Sequence, residues 1–198
     1  MSKTHKSVIK EIILAGGSNP RNPFAYDELY GVDIIKQEVS DFIYEQCNVV
    51  LEPLPFKEST FNSVSAYDLL EHIPRFAIVN NQTTFPFILL MNEIYRVLKP
   101  GGTFYAITPY YPRDEAFVDP THVNIITNKT HTYFTSPQHS ARMYGFTGSF
   151  EINEVKRIKP SQEIKQKNFI FKFLKNIYYT IRYKKKSHLL WKFSASKK

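Results

Sequence analysis

Residues 61–73 read FNSVSAYDLLEHI and residues 93–109 read EIYRVLKPGGTFYAITP, and these two stretches decide the fold. Residues 61–67 alternate in part between apolar and polar side chains, which favours a strand, and residues 102–109 form another apolar run. Between them, residues 75–98 carry apolar side chains at helical spacing, namely Ile88, Met91, Ile94, Tyr95 and Leu98. Lys99-Pro100-Gly101 is a helix stop signal. A strand, a helix and a strand in this order predict a βαβ unit of a parallel sheet.

Further runs extend this pattern in both directions. Residues 10–15, 30–34 and 48–51 are predicted strands before the unit, and residues 150–158 and 188–195 are predicted strands after it. The expected fold class is therefore α/β. Ligands of open α/β sheets bind beyond the carboxyl ends of the strands, so residues that directly follow strands are the functional candidates.

The composition excludes several classes of protein. The chain has 198 residues, of which 42% are hydrophobic and 15% aromatic, which suits a single domain over residues 1–198 and excludes wholesale disorder. No apolar run approaches about 18 residues and the N-terminus lacks an apolar signal region, so we expect a cytoplasmic protein without a spanning helix. The single cysteine, Cys47, excludes an internal disulfide and a cysteine-based zinc site.

The charge is distributed unevenly along the chain. The net charge is +8, yet residues 1–164 carry 15 Lys and Arg against 18 Asp and Glu, whereas residues 165–198 carry 11 Lys and Arg and no acid. A nearly neutral body with a strongly basic tail predicts an acidic partner for the tail, either anionic lipid or nucleic acid.

The first predicted strand is followed by a glycine pair, and the second ends in an acid. Gly16 and Gly17 let the backbone approach a ligand closely, and Asp33, 16 residues after Gly17, is placed to accept both hydroxyls of a ribose. Pro20 and Pro23 leave little room for the helix whose N-terminus a dinucleotide pyrophosphate requires, which favours a nucleoside without phosphates. The alternative is that the glycines form only a tight turn and that Asp33 is a solvated acid.

Three strings together carry a family resemblance. Residues 51–56 read LEPLPF, and the strings at 61–73 and 93–104 follow at a characteristic spacing. Over roughly residues 11–110 the chain resembles class I S-adenosylmethionine-dependent methyltransferases, and more narrowly the small branch associated with sugar and cell-surface glycan pathways. The resemblance implies a Rossmann-like, doubly wound, mostly parallel seven-stranded sheet whose last strand is antiparallel. Residues 150–158 and 188–195 would be its last two strands.

The resemblance also implies roles for particular residues. Those expected to bind the cofactor, S-adenosyl-L-methionine, are Ala15, Gly16, Gly17, Asp33, Ile34, Glu52, Leu54, Tyr67, Asp68 and His72. This sequence departs from the family pattern in two places. The first loop reads AGGSNP where the family has G-x-G, and Val49 and Val50 stand where an acid often precedes the L-P-F string, so Glu52 is the candidate substitute.

The segment after the predicted strand at 102–109 is the expected acceptor site. Tyr110 and Tyr111 are candidates for stacking on a sugar, and Arg113 for binding an anionic substituent. His122 is the candidate general base and Asp119 the residue that orients it, because imidazole titrates near neutral pH. The alternative is that Asp119 and His122 only cap a turn.

Other polar residues of the chain have weaker claims to a role in chemistry. Glu71 and Arg96 are interpreted as a buried or half-buried pair, and His131 and His139 as surface residues. No set of histidines and acids has metal-ligand spacing, so no metal is expected.

Residues 164–186 place aromatic and aliphatic side chains among lysines. This composition predicts a basic amphipathic helix that lies in an anionic membrane interface, on the inner face of a membrane. The alternatives are a helix docked on the sheet and, less favoured because no RNA-binding motif is present, a nucleic-acid surface.

The sequence thus predicts an enzyme that transfers a methyl group from S-adenosylmethionine to a hydroxyl, or less readily a carboxyl, of a sugar or glycan precursor. Two alternatives stay open. One is a non-catalytic methyltransferase-like module that docks to a membrane or protein, and the other is an RNA or small-metabolite methyltransferase.

Overall fold

The computed structural model describes residues 9–15, 21–36, 42–159 and 186–197. One sheet contains seven strands, which are β1 (Lys10–Leu14), β2 (Glu28–Asp33), β3 (Ile43–Gln46), β4 (Phe61–Tyr67), β7 (Leu98–Pro109), β8 (Phe150–Ile158) and β9 (His188–Ala195). A separate hairpin comprises β5 (Ala77–Val79) and β6 (Gln82–Thr84), and the α-helix α1 spans Pro86–Val97.

The strands of the sheet follow the order β3-β2-β1-β4-β7-β9-β8. The first five are parallel, and β9 is inserted antiparallel between β7 and β8. The predicted Rossmann-like, mostly parallel seven-stranded sheet with a reversed last strand is confirmed. The chain moves outward in one direction from β1 to β3 and in the other from β4 onward, so the order reverses between β1 and β4.

Helix α1 covers one face of the sheet with an apolar stripe. Its buried side chains include Phe87, Leu90, Met91, Ile94 and Val97, at the spacing of a single helical face. Each buried side chain of this size contributes about 1.5–3 kcal/mol when it is removed from water. Packing rather than helix propensity therefore holds α1 against the sheet.

The other face of the sheet carries a smaller apolar cluster and a buried acid. Tyr105, Ile107, Ile158 and Leu190 form the cluster. Glu11 lies on this second face, because it alternates along β1 with Ile12, which points into the main core.

Two sequence predictions about the secondary structure are wrong. The third strand is Ile43–Gln46 rather than 48–51, because Asn48 begins a turn in which its carbonyl accepts the amides of Leu51 and Glu52. The helix predicted from residue 75 begins only at Pro86, after the hairpin. Asn80 and Asn81 have φ of 51° and 60°, the backbone that a two-residue hairpin loop requires.

Within the described ranges, no helix is both long and apolar enough to cross a membrane. The basic segment predicted at 164–186 lies outside the described residues, apart from Lys186.

Candidate active site

The carboxyl ends of β1 and β4 lie side by side and both bend sharply. Leu14 pairs with Ala66 in register, and the residues just past each strand, Ala15 and Asp68, have φ of 52° and 48°. Left-handed backbone is uncommon outside glycine and persists only where the surrounding structure holds it. The amide of Asp68 donates to the carbonyl of Ile107 at 2.8 Å, which fixes the second bend. Both bends lie where the strand order reverses, the place where such sheets bind ligands.

Asp33 lies at the end of β2, beside the bend of β1. The amide of Ala15 donates to the carbonyl of Val32 at 2.7 Å, so the two strand ends stay together. The Asp33 Oδ1 accepts the amide of Ile35 at 3.2 Å, and the Ile34 side chain between them is 58% exposed. A carboxylate here accepts ribose hydroxyls, and an exposed aliphatic side chain next to it offers an apolar surface to a base. These residues therefore fit a nucleoside.

The loop after β3 is fixed by α1. The buried Leu54 donates its amide to Glu93 Oε2 at 2.8 Å, and Arg96 pairs with Glu93 at 2.6 Å while donating to two loop carbonyls at 2.7 and 2.9 Å. Glu52 is exposed, and its carboxylate accepts the amide of Asn48 at 3.3 Å. Of these two residues predicted to bind the cofactor, Glu52 is thus open to solvent and Leu54 packs in the core.

Tyr67 and Asp68 have different surroundings. The Tyr67 ring packs near Tyr105, with centroids 6.0 Å apart, and the guanidinium of Arg21 lies 4.5 Å from its centroid. Asp68 Oδ1 lies 3.3 Å from Nε2 of His188, the first residue of β9. The sequence did not indicate His188 as a site residue, because only the register of the last strand brings it to this edge.

Glu71 is the buried acid of the site. Its Oε2 accepts the Thr108 hydroxyl at 2.9 Å, and its carbonyl accepts the amides of Val123 and Asn124 at 2.9 and 2.8 Å. Burial raises the pKa of Glu71 to about 7. The interpretation that Glu71 pairs with Arg96 is wrong, since Arg96 pairs with Glu93. A carboxyl that titrates near neutral pH at the ends of the strands is typical of a catalytic site.

His122 lies between two carboxylates. Its Nε2 is 4.0 Å from Glu71 Oε1 and 4.0 Å from Asp119 Oδ2, and its side chain is nearly buried. Glu71 Oε1 has no hydrogen-bond partner within the described ranges. Both distances are longer than a hydrogen bond, and in both cases a carboxyl oxygen faces His122 Nε2.

Asp119 both shapes the turn and faces His122. Its Oδ1 accepts the amide and the hydroxyl of Thr121 at 2.8 and 2.6 Å, and these bonds lower the pKa of Asp119. The Thr121 hydroxyl also lies 3.0 Å from Nδ1 of His72. Because that hydroxyl donates to Asp119, it accepts from His72, which assigns the His72 proton to Nδ1.

Three side chains able to ligate a metal come together at this point. Ligand atoms of Glu71, His72 and His122 lie within 4.8 Å of one another, although sequence spacing predicted no metal site. The sequence could not show this cluster, because His122 is brought to Glu71 and His72 only by the loop that follows β7.

The expected acceptor residues fall into two environments. Tyr110 is 2% exposed and packs in the core, with the Arg157 guanidinium 5.5 Å from its ring. Tyr111 is 54% exposed and meets the edge of Phe117 at 6.2 Å. The amide of Arg113 donates to the carbonyl of Tyr110 at 2.9 Å. Only Tyr111 of the two tyrosines presents its ring to solvent.

His131 and His139 are less exposed than predicted. His139 is buried, and its Nε2 is 3.0 Å from the Ser149 hydroxyl, so its interpretation as a surface residue is wrong. His131 is partly buried beside Trp191 and Phe193, and burial lowers the pKa of His131.

The structure brings most predicted site residues to one edge of the sheet. Ala15 and Asp33 lie at the ends of β1 and β2, whereas Asp68, His72, Asp119 and His122 gather beyond β4 and β7. Leu54 and Tyr110 are packed in the core instead. Gly16 and Gly17 lie outside the described residues.

Comparisons with known proteins agree with this geometry. The sequence model of one family, described as a methyltransferase domain, matches residues 15–106. That segment runs from the bend after β1 into β7 and includes Asp33, Asp68 and His72. A comparison with curated protein sequences finds no match.

Solved structures share the fold at low sequence identity. An S-adenosylmethionine-dependent methyltransferase from Mesorhizobium loti is 12% identical, with a TM-score of 0.59, over 95% of this chain and 91% of that chain. A chain of the complex between the Haloferax volcanii Trm112 methyltransferase activator and a methyltransferase is 14% identical, with a TM-score of 0.57, over 97% and 84% of the two chains. At these identities the likeness shows the fold.

The matched domain covers a little less than half of the chain, and the sheet has the Rossmann-like order. Together they support an enzyme of the class I S-adenosylmethionine-dependent methyltransferase type, with S-adenosylmethionine as its cofactor.

Proposed function

We propose that this methyltransferase methylates a hydroxyl of a sugar or glycan precursor, with His122 as the general base. The observation that carries the proposal is the position of His122 Nε2, 4.0 Å from a Glu71 oxygen and 4.0 Å from an Asp119 oxygen. A hydroxyl must lose its proton as it is methylated, and a base within reach contributes about a hundredfold to ten-thousandfold to such a step.

The chain positions the reactants and moves one proton. When bound, S-adenosylmethionine supplies a methyl group that its sulfonium already activates. Asp33 holds the ribose, and Ala15 and Asp68 border the place where β1 and β4 end. His122 Nε2 would take the proton of the acceptor hydroxyl as that oxygen is methylated, with S-adenosylhomocysteine as the leaving group. Glu71 and Asp119 would then lie close to the protonated imidazole.

A sugar acceptor is supported by an exposed aromatic surface on the loop that carries His122. Tyr111 and Phe117 form an exposed aromatic pair on the same loop, and an aromatic face suits the apolar side of a sugar ring. The resemblance to the glycan branch of the family points to the same class of acceptor. Arg113 on this loop is the candidate for an anionic substituent.

We further propose that the whole chain is one domain that works at the inner face of a membrane. Residues 164–186 combine lysines with aromatic and aliphatic side chains, the composition of interfacial helices. A lipid-linked glycan acceptor would place the substrate at that surface.

The proposal is tested by release of S-adenosylhomocysteine with a panel of neutral and acidic 4-nitrophenyl glycosides. At least one glycoside is expected to stimulate release, and His122→Ala is expected to lower kcat by about a hundredfold or more without changing cofactor affinity. Asp119→Asn should also lower kcat, whereas Asp114→Asn, an exposed acid of the same loop, should not. Loss of wild-type turnover after EDTA treatment would contradict the role of His122 as base and make it a metal ligand.

A further inference from the structure

A cavity lies beside the N-terminus of α1, and its lining reaches Asn124 on the loop that carries His122. It has a volume of about 670 Å³ and opens between the N-terminus of α1 and the loop segments that follow β7. This volume lies within the range of small-molecule sites. Aromatic rings dominate its lining, which includes Phe76, Phe85, Phe87, Tyr133, Phe134 and Tyr144.

The cavity is linked to the catalytic cluster by one residue. Asn124 lines the cavity, donates its side chain to the carbonyl of Leu70 at 3.0 Å, and donates its amide to the carbonyl of Glu71 at 2.8 Å. Asn124 is also only two positions beyond His122. Asn124 thus joins the cavity wall to the backbone of Leu70 and Glu71.

The charge of the lining is positive. Arg75 and Lys129 line the cavity, and its described lining contains no aspartate or glutamate. The Arg75 Nε donates to Asn124 Oδ1 at 2.8 Å and its Nη2 to the carbonyl of Ile125, so the guanidinium is held in place by two of its five N–H donors. A guanidinium fixed in this way is suited to a carboxylate or phosphate.

We propose that this cavity is a further part of the acceptor site, in addition to the Tyr111–Phe117 surface, and that it selects an anionic glycoside with an aromatic or alkyl aglycone. The aromatic rings bind the apolar aglycone, and Arg75 and Lys129 bind the anionic group. This inference rests on the proposed function for the identity of the methylated group, but binding itself requires no methyl transfer.

The test is calorimetric titration of the full chain with three probes. These are 4-nitrophenyl β-D-glucuronide, 4-nitrophenyl β-D-glucoside, which lacks the carboxylate, and free glucuronate, which lacks the aryl group. The glucuronide is expected to bind at least about fivefold more tightly than either of the others, the scale of one partly exposed ion pair or one aromatic contact.

Matched variants separate the two halves of the proposal. Lys129→Ala is expected to lower the affinity for the glucuronide about threefold, and Arg75→Gln about tenfold. Neither substitution should change the affinity for the glucoside. Lys57→Ala changes an exposed lysine that does not line the cavity, so it should leave the affinity for both glycosides unchanged. Tyr133→Ala should weaken both aryl glycosides by the same factor, about threefold to tenfold, and leave free glucuronate unchanged.

Equal affinities for glucuronide and glucoside, or equal effects of Lys129→Ala and Lys57→Ala, would overturn the inference. So would the absence of saturable binding. A glucuronide that binds selectively but stimulates no release of S-adenosylhomocysteine would instead contradict the proposed function and leave only the binding site in this cavity standing.

Discussion

Glu11 is a buried acid away from the active site, on the second face of the sheet. It is fully buried, and neither of its carboxylate oxygens has a hydrogen-bond partner within the described ranges. Burial raises the pKa of Glu11 from 4.5 to about 7, an effect that the nearby Ser63 and Ser65 hydroxyls partly offset. Between pH 4.5 and 7, the Glu11 carboxyl is therefore protonated in the folded protein and ionised in the unfolded chain.

This pKa gives the stability of the protein a defined dependence on pH. Between pH 4.5 and 7 the folded state binds more protons than the unfolded state, so the free energy of unfolding falls as the pH rises. One such group contributes at most about 3 kcal/mol over this range. Glu11→Gln should flatten the curve measured by urea denaturation at several pH values, because a neutral amide has no proton to lose.

The matched control for Glu11 is Glu45→Gln, which changes an exposed acid on β3. It should leave the pH dependence as it is in the wild type. A Glu11→Gln curve as steep as the wild-type curve would contradict the assignment of the buried proton to Glu11. The burial of Glu71 acts in the same direction, so a smaller slope should remain.

Some individual residues of the site could be predicted from the sequence, and others could not. Asp33 lies at the end of one predicted strand, and Asp68 and His72 follow another; position relative to a strand end is visible in a linear pattern. The pairing of Glu71 with His122 was not predictable, because it depends on how the loop after β7 folds back over β4. The burial of Tyr110 is likewise a property of packing, since its neighbour Tyr111 has the same chemistry and stays exposed.

At the scale of elements, α1 fixes the loop that leads into β4. Arg96 is the centre of this contact, because it pairs with Glu93 and donates to the carbonyls of Leu54 and Phe56. Glu93 in turn accepts the amide of Leu54. The family resemblance placed this helix and this loop in one motif, and the contact gives the physical reason.

Removing this contact should destabilise the fold without touching the catalytic residues. Arg96→Ala leaves Glu93 and two carbonyls without their donor, so the free energy of unfolding should fall by about 1–2 kcal/mol, a range that allows for partial exposure to water. Arg96→Lys should recover less than half of the loss, because an ammonium cannot reproduce the planar fork. Urea denaturation measures both, and the exposed Arg142→Ala is the control. If Arg96→Ala lowered the free energy of unfolding no more than Arg142→Ala does, the stabilising role of this contact would be contradicted.

The bounds of a strand or helix were predictable where the local sequence pattern alone decides them. β4, β8 and β9 have the predicted bounds. The third strand was misplaced because the apolar run at Val49 and Val50 belongs to a turn that Asn48 starts. The predicted start of the helix at residue 75 was wrong, because the hairpin loop of Asn80 and Asn81 lies inside a stretch whose pattern otherwise resembles a helix.

At the scale of the whole molecule, the chain combines a nearly neutral body with a basic tail. Eleven Lys and Arg lie in residues 165–198, against an excess of acids in residues 1–164. We expect the full chain to sediment with vesicles of phosphatidylcholine and phosphatidylglycerol and to be released by salt. Replacing Lys184, Lys185 and Lys186 together by Gln should weaken binding by about 3 kcal/mol, roughly a hundredfold.

The control for this charge effect is an equal loss of charge in the body. Replacing Lys36, Lys57 and Arg142 together by Gln removes three exposed positive charges there and should change vesicle binding little. Equal sedimentation with pure phosphatidylcholine vesicles, or equal effects of the two triple variants, would contradict a membrane role for the tail.

The central claim is that a nucleoside sulfonium binds over the ends of β1, β2 and β4 with its ribose held by Asp33. Calorimetric titration with S-adenosylhomocysteine tests it most directly. The account predicts saturable binding to the wild type, a loss of about tenfold or more in Asp33→Ala, and no change in Glu45→Ala on the neighbouring strand. An Asp33→Ala protein that binds S-adenosylhomocysteine as tightly as the wild type would contradict it.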